Sequence, residues 1–222
     1  MYDPNHNFYP FLRNSVKRFG GFRSIFFVDQ IKAMNSERRS INNPEDPPPT
    51  IIFLGGGMGA GKSTVVKKLM TSSFMKKHGH QVVTIAADDV KMKDPVFRDL
   101  ENKKISNAAV AVHPYSVDTA ESMLLRAVRE RRDIVFDGTM MWLPFIQQTI
   151  EMIRDNKRVY TRGPGYKVQA DGTVVEKYWV PVEGKDCEGC SCSVPYRIVM
   201  AAVTVKPGAA VARGKHVSTL FL

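Results

Sequence analysis

Apolar and polar positions change their rhythm several times along this chain. From residue 50 onward, short apolar runs alternate with stretches in which apolar side chains return every three or four residues. The runs at 51–54, 82–85, 134–136, 158–160 and 197–205 predict strands, and the stretches at 62–78, 95–103, 115–131 and 144–155 predict helices. Strands and helices in this order predict an α/β fold, with a parallel sheet and helical crossovers flanking it. Residues 162–196 break the pattern. Within them YKVQADGTVVEKYWVPV alternates apolar and polar residues around Asp171-Gly172, which predicts a β-hairpin inserted between the last two core strands.

Upstream of the periodic region lies NNPEDPPPT, residues 42–50, where prolines at 44 and 47–49 deny both helix and central strand. This linker divides an N-terminal extension, residues 1–49, from a domain expected over 50–222. Residues 1–40 are basic and aromatic and carry no acid between Asp3 and Asp29. Such an acid-poor, Arg-bearing start is compatible with organelle import, but its many aromatics and few serines weigh against that. The extension reads instead as a segment that packs on the domain or binds a protein partner.

Composition narrows the partners. A net charge of +10 over 222 residues implies something anionic: a nucleotide, a nucleic acid or an acidic surface. The basic residues are scattered, and no interleaved aromatics for stacking bases lie near the glycine-rich loop described next, which argues against nucleic acid. No run of about 18 apolar residues predicts a membrane span. The three cysteines, Cys187, Cys190 and Cys192, share one loop and read as free thiols of a reducing, cytoplasmic compartment. Without a nearby histidine they fall short of a tetrahedral zinc set.

The chemistry begins at TIIFLGGGMGAGKSTVVKK. Gly56, Gly57, Met58, Gly59, Ala60, Gly61, Lys62 and Ser63 fit the phosphate-loop pattern, with Thr64 following, between a predicted strand and a predicted helix. Glycines let successive N–H groups turn inward, and the helix adds its positive N-terminal end. Lys62 would reach the β- and γ-phosphates of a nucleoside triphosphate, and the Ser63 hydroxyl would hold Mg²⁺. The plainer alternative is a glycine-rich turn that binds nothing.

Three further acids draw notice. Asp88 and Asp89 follow the second strand, where an open parallel sheet places its ligand, and an Asp there would take the proton of an attacking hydroxyl. Either would otherwise cap the next helix. Asp137 ends the third strand and would hold the metal or a substrate hydroxyl, with Gly138 and Thr139 continuing into the same crevice. Glu121 falls within the apolar stripe of Val117, Ala120, Leu124, Leu125 and Val128, and a buried acid is paired, hydrogen-bonded or functional. His113, before Pro114, reads as structural.

Taken together, GGGMGAGKST, DDVKMKDPVF, VHPYS and FDGT resemble the zeta-toxin-like P-loop kinases, and the GPGYKVQADGTVVEKYWVPV insertion resembles their plant-type eukaryotic branch. The likeness covers most of 50–215. It implies an ATP- or GTP-dependent small-molecule kinase, whose bacterial relatives phosphorylate UDP-N-acetyl sugars. It further implies that Asp88 is the base, that Lys62 is the phosphate-loop lysine, and that Glu121, Asp137 and Thr139 bind substrate. Arg213 corresponds to a lid arginine of the family, allowing a one-residue gap. Two positions beyond the threonine, bacterial members carry arginine where this chain has Met141. Met140, Met141 and Trp142 are therefore expected to line the acceptor side with apolar surface. That would disfavour a sugar diphosphate and suit an acceptor with an aromatic body. The family's chain continues further, so the resemblance also implies a C-terminally shortened form. The alternatives to a metabolite kinase are a nucleotide-binding regulatory protein with impaired chemistry and a polynucleotide kinase.

Overall fold

Our computed structural model describes residues 48–57, 59–72, 82–155, 157–186 and 194–212, except the side chains of 185 and 186. The described residues fall into two compact units, one of them Ala86–Met123 and the other made of 48–85 with 124–212.

The second unit is built on a four-stranded parallel sheet. Its strands are β1 (Thr50–Gly55), β2 (Val83–Ala86), β3 (Ile134–Asp137) and β6 (Arg197–Ala202), in the order β2-β3-β1-β6. The central strand β1 is buried along its whole length and apolar from Ile51 to Leu54, because both of its faces are covered. Alternate residues point to opposite faces. On one face Ile52 and Val135 form a core with Val66 and Leu69 of helix α1 (Lys62–Thr71). On the other, Phe53 meets Phe136 edge-on at 6.0 Å, and Phe136 meets Phe145 of helix α5 (Leu143–Arg154) at 5.9 Å. Helices thus cover both faces, the three-layer arrangement expected.

The hairpin lies between α5 and β6 in the chain and forms its own two-stranded antiparallel sheet, β4 (Arg158–Val168) with β5 (Val174–Asp186). Residues 158–160, expected as a core strand, belong to it. Their partners are Asp186 and Pro181 rather than a parallel neighbour, and register shifts fall between Arg158 and Tyr160 and between Arg162 and Gly165. A five-residue turn closes the hairpin tip, with Gln169 N–H donating to Thr173 O at 2.8 Å and Gly172 in the left-handed region. At the other end Phe145 packs against Tyr178 at 5.2 Å, and Trp179 donates its indole N–H to the buried Thr149 hydroxyl at 2.9 Å.

In the first unit, helix α2 (Ala87–Lys93) follows β2 directly, helix α3 (Pro95–Asn102) comes next, and α4 (Ala108–Arg129) runs on into the second unit. Asp94 caps α3 by accepting the Val96 N–H at 2.8 Å. Val96, Phe97 and Leu100 then bury against Ala108 and Val112. Helix α4 begins at Ala108 rather than at 115 because it continues through Pro114. Proline removes one N–H there, while Ser116 and Thr119 donate their hydroxyls to the carbonyls of Val112 and Tyr115.

Candidate functional site

Strand β1 ends at Gly55, and the chain turns through the glycine-rich loop into α1. The turn needs glycine at definite places. A Cβ on Gly56 would stand 2.7 Å from the carbonyl oxygen of Val203, and one on Gly59 would stand 2.5 Å from that of Ala210. Gly59 also has a φ of +70°, so any side chain there would be both strained and obstructed. Gly57, by contrast, faces open space. Gly61 is the left-handed N-cap of α1 and makes no side-chain cap, so the helix offers its first N–H groups outward. Lys62 lies back over the loop and donates to Gly56 O at 2.9 Å and Gly57 O at 3.4 Å. Ser63 and Thr64 are exposed at the first turn, and Ala60 is buried.

Both flanking strands press on this loop. Val203 donates its N–H to Gly55 O at 2.8 Å, and Gly138 donates to Leu54 O at 3.0 Å. Asp137 pairs in register with Leu54, so its carboxylate belongs to the strand end beside the start of the loop. Thr139, next but one, is exposed. Of the residues singled out in the sequence, the second unit gathers together 56–57, 59–64, Asp137 and Thr139. Met58 and Arg213 lie outside the described residues, as do residues 1–47 of the N-terminal extension and the CEGCSC loop.

Met140, Met141 and Trp142 do not form the one apolar wall expected from the sequence. Met140 has a φ of +55° and lays its side chain 3.0 Å from the Cβ position of Gly55. That turn sends Met141 into solvent, at 81% exposure, and leaves Trp142 against Tyr166 of β4 with ring centroids 5.8 Å apart. Met141 therefore gives no ground for excluding a diphosphate.

Asp88 and Glu121 belong to the other unit. Neither Asp88 nor Asp89 caps a helix. The N-cap of α2 is Ala86, without a side-chain hydrogen bond, and both acids occupy the first turn, where the helix dipole favours negative charge. Asp88 is 84% exposed and pairs with Lys91 at 2.6 Å. Glu121 is buried within α4, at 7% exposure, in the apolar stripe expected for it. His113 lies in the same helix, two turns earlier in the chain. The acid of the Asp94-Pro95 pair, by contrast, serves the α3 cap rather than a ligand. Sequence reasoning missed that role, although Asp followed by Pro is a recognisable helix start.

Glycine at 56 and 59 lets the loop pass close under the carbonyls of Val203 and Ala210, and a loop of this kind that leads into an uncapped helix start is chemically suited to phosphate. Among the described residues no cluster of three His, Cys, Asp or Glu could hold a metal by itself. Mg²⁺ commonly takes only one or two protein ligands beside phosphate oxygens and water, which Ser63 and Asp137 would satisfy. Among the described residues, no helix is long and apolar enough to cross a membrane.

Comparison with known proteins agrees with this fold. The zeta-toxin family model matches residues 34–161. The chain is 40% identical over 164 residues to a calmodulin calcium-dependent NAD kinase from Arabidopsis thaliana, a match covering 71% of this chain and 31% of that protein. Among solved structures, it resembles a chain of the PezAT chromosomal toxin–antitoxin system of Streptococcus pneumoniae. There the TM-score is 0.56 at 13% identity, over 90% of this chain and 63% of the other, a likeness of fold.

Proposed function

Because this chain belongs to the zeta-toxin family, a family of nucleotide-dependent P-loop kinases, we propose that it transfers the γ-phosphate of ATP or GTP to a ribose hydroxyl of NAD. The observation that carries the reading is the glycine-rich loop under Lys62, which leads into the uncapped N-terminus of α1 and so leaves backbone N–H groups and an ammonium together for phosphate. The choice of acceptor is supported by the 40% identity to a protein named as an NAD kinase.

In this reading the N–H groups of 56–64 and the Lys62 ammonium hold the β- and γ-phosphates. Ser63 and Asp137 hold Mg²⁺, which neutralises charge on the transferring group when bound. Asp88 accepts the proton of the acceptor hydroxyl as its oxygen forms the new bond to the γ-phosphorus. The bond from that phosphorus to the bridging β–γ oxygen breaks, and the nucleoside diphosphate leaves with the electron pair. Glu121, Asp137 and Thr139 orient the hydroxyl, and Arg213 offsets charge on the γ-phosphate. The relative's name also couples it to calcium and calmodulin. The basic, aromatic residues 1–40 are the part of this chain suited to such an acidic partner.

The test presents the purified chain and labelled ATP–Mg²⁺ with NAD, UDP-N-acetylglucosamine and a 5′-hydroxyl oligonucleotide, each with and without calcium-loaded calmodulin. NAD is expected to be labelled, and Asp88→Asn to reduce turnover by about 10²–10⁴-fold while nucleotide affinity stays within a few-fold. Asp89→Asn should do less. Labelling of the oligonucleotide or the sugar nucleotide in preference to NAD would overturn the acceptor. Full turnover in Asp88→Asn would remove the base.

A further inference from the structure

The loop from Asp137 to Leu143 carries one strained residue and one conspicuous ring pair. Methionine seldom adopts a positive φ, and Met140 does so while its side chain is held against Gly55 at the start of the phosphate loop. Backbone strain of this kind persists only where surrounding contacts enforce it. Its effect here is to lift the next two residues out of the fold. Trp142 is then fixed as the residue from which α5 begins, its carbonyl accepting the Ile146 N–H at 3.2 Å. Tyr166 reaches it from the hairpin, and the rings meet edge to face, 79° apart. An aromatic pair of this size would ordinarily be buried. These two are 49% and 50% exposed, so ring surface from two different elements is paired and open to solvent.

We propose that Trp142 and Tyr166 form a stacking platform for a planar heterocycle of the phosphate acceptor. The platform rests on the kinase reading above and adds to it the residues that recognise the acceptor's ring. Its position is what favours the acceptor. Trp142 lies two residues beyond Met140, an extended reach of about 7 Å, and Met140 touches Gly55. The backbone of Trp142 therefore lies within about one nucleoside's length of Met140, on the same segment as Asp137 and Thr139, two of the three residues assigned to substrate. Aromatic faces stack any base or nicotinamide without reading its hydrogen bonds. The sequence showed no such platform because its two halves lie on separate elements, brought together only by the hairpin's docking on α5.

The chain contains two tryptophans, and Trp179 is buried at 5% exposure, so a ligand-dependent change in tryptophan emission reports Trp142. Titration of the full chain with NAD, nicotinamide mononucleotide and AMP is expected to quench that emission, and Trp142→Phe to remove the signal. In steady-state assays Trp142→Ala and Tyr166→Ala should raise KM for NAD by about 5- to 100-fold, the usual worth of one stacked ring. The KM for ATP and kcat should stay within about twofold, and Trp142→Phe should keep most of the acceptor affinity. Quenching by these nucleotides in a protein that does not phosphorylate NAD would uphold the platform and overturn only the choice of acceptor. The platform falls if none of the three ligands quenches the emission, or if KM for ATP rises in place of that for NAD. It also falls if the native chain self-associates in sedimentation, Trp142→Ala abolishes that association, and KM for NAD is unchanged.

Discussion

The phosphate loop and the β4–β5 hairpin belong to the same unit, and both bend the chain sharply, yet they are built on opposite terms. In the loop the path of the backbone is what matters, and side chains are excluded by carbonyls of neighbouring segments at Gly56 and Gly59. In the hairpin the backbone is irregular, with two register shifts, and side chains hold it: Trp179 to Thr149, Tyr178 to Phe145, and the Gln148 amide bridging Glu176 O and Tyr178 N. One region is specified by what must be absent, the other by particular pairs that must be present. Damage should follow the same division, with the loop losing chemistry and the hairpin losing stability.

The largest expected effect is at the loop. Lys62→Ala should weaken ATP–Mg²⁺ binding and abolish phosphate transfer, since no other described residue donates an ammonium over the loop carbonyls. Gly59→Ala should do likewise through backbone strain and the obstruction at Ala210. Calorimetric titration with ATP–Mg²⁺ and a transfer assay decide the matter. Unchanged affinity and turnover in Lys62→Ala would dissolve the phosphate-loop assignment.

A smaller effect, of another kind, is expected where the hairpin docks. Thr149→Val keeps the volume but removes the acceptor of the buried Trp179 indole N–H. An unsatisfied buried donor costs about 1–3 kcal/mol, so Tm should fall by roughly 2–10 °C for a chain of this length. ATP affinity should not change. A loss of ATP binding that matched the loss of stability would show that loop and hairpin are not energetically separate.

The smallest effect sits at the base of the hairpin and depends on pH. Burial alone would raise the Asp155 carboxyl, but hydrogen bonds from the Tyr160 hydroxyl, the Arg158 side chain and two backbone N–H groups outweigh it and hold it below its ordinary value of 3.8. Burial, followed by that same hydrogen bond, pushes the Tyr160 hydroxyl up to about 12. A carboxyl lowered in the folded state adds stability at neutral pH that is lost as pH falls through its folded value. Asp155→Asn should therefore melt slightly below the native chain at pH 7. The gap should close below about pH 4, as followed by thermal melts across pH. A gap independent of pH would assign the effect to packing alone.

The same division governs what could be read from the amino-acid order. The turn from β1 into α1 was legible in the sequence, because closely spaced glycines between an apolar run and a helical stretch need only their neighbours in the chain. The existence of the hairpin was legible from alternation around Asp171-Gly172, but its true start was not. Arg158 and Tyr160 look like a core strand until Asp186 and Pro181 claim them. Long-range pairing of this sort leaves no local trace. The early start of α4 was hidden for a different reason, since Pro114 signals a helix boundary and here lies inside one. Asp88 follows the second strand as read, but it lies in the first turn of a short helix, Ala87–Lys93, that the local pattern did not reveal.

One feature far from the loop governs where the loop lies. Asp133, 2% exposed, accepts the Thr50 N–H on its carboxylate at 2.7 Å and the Val83 N–H on its carbonyl at 2.9 Å, while Pro49 O accepts the Arg197 N–H at 2.8 Å. The amino ends of all four parallel strands are thereby indexed against one another, immediately after a proline run that can donate nothing. Like the zero mark of a ruler, this end sets every position read along it. A slip of one residue at Thr50 would exchange the two faces of β1 and displace Gly55 by about 3.3 Å against its neighbours. A buried acid beside the amino end of β1, about 20 Å from its carboxyl end, thus sets where the glycines fall beside Val203 and Ala210.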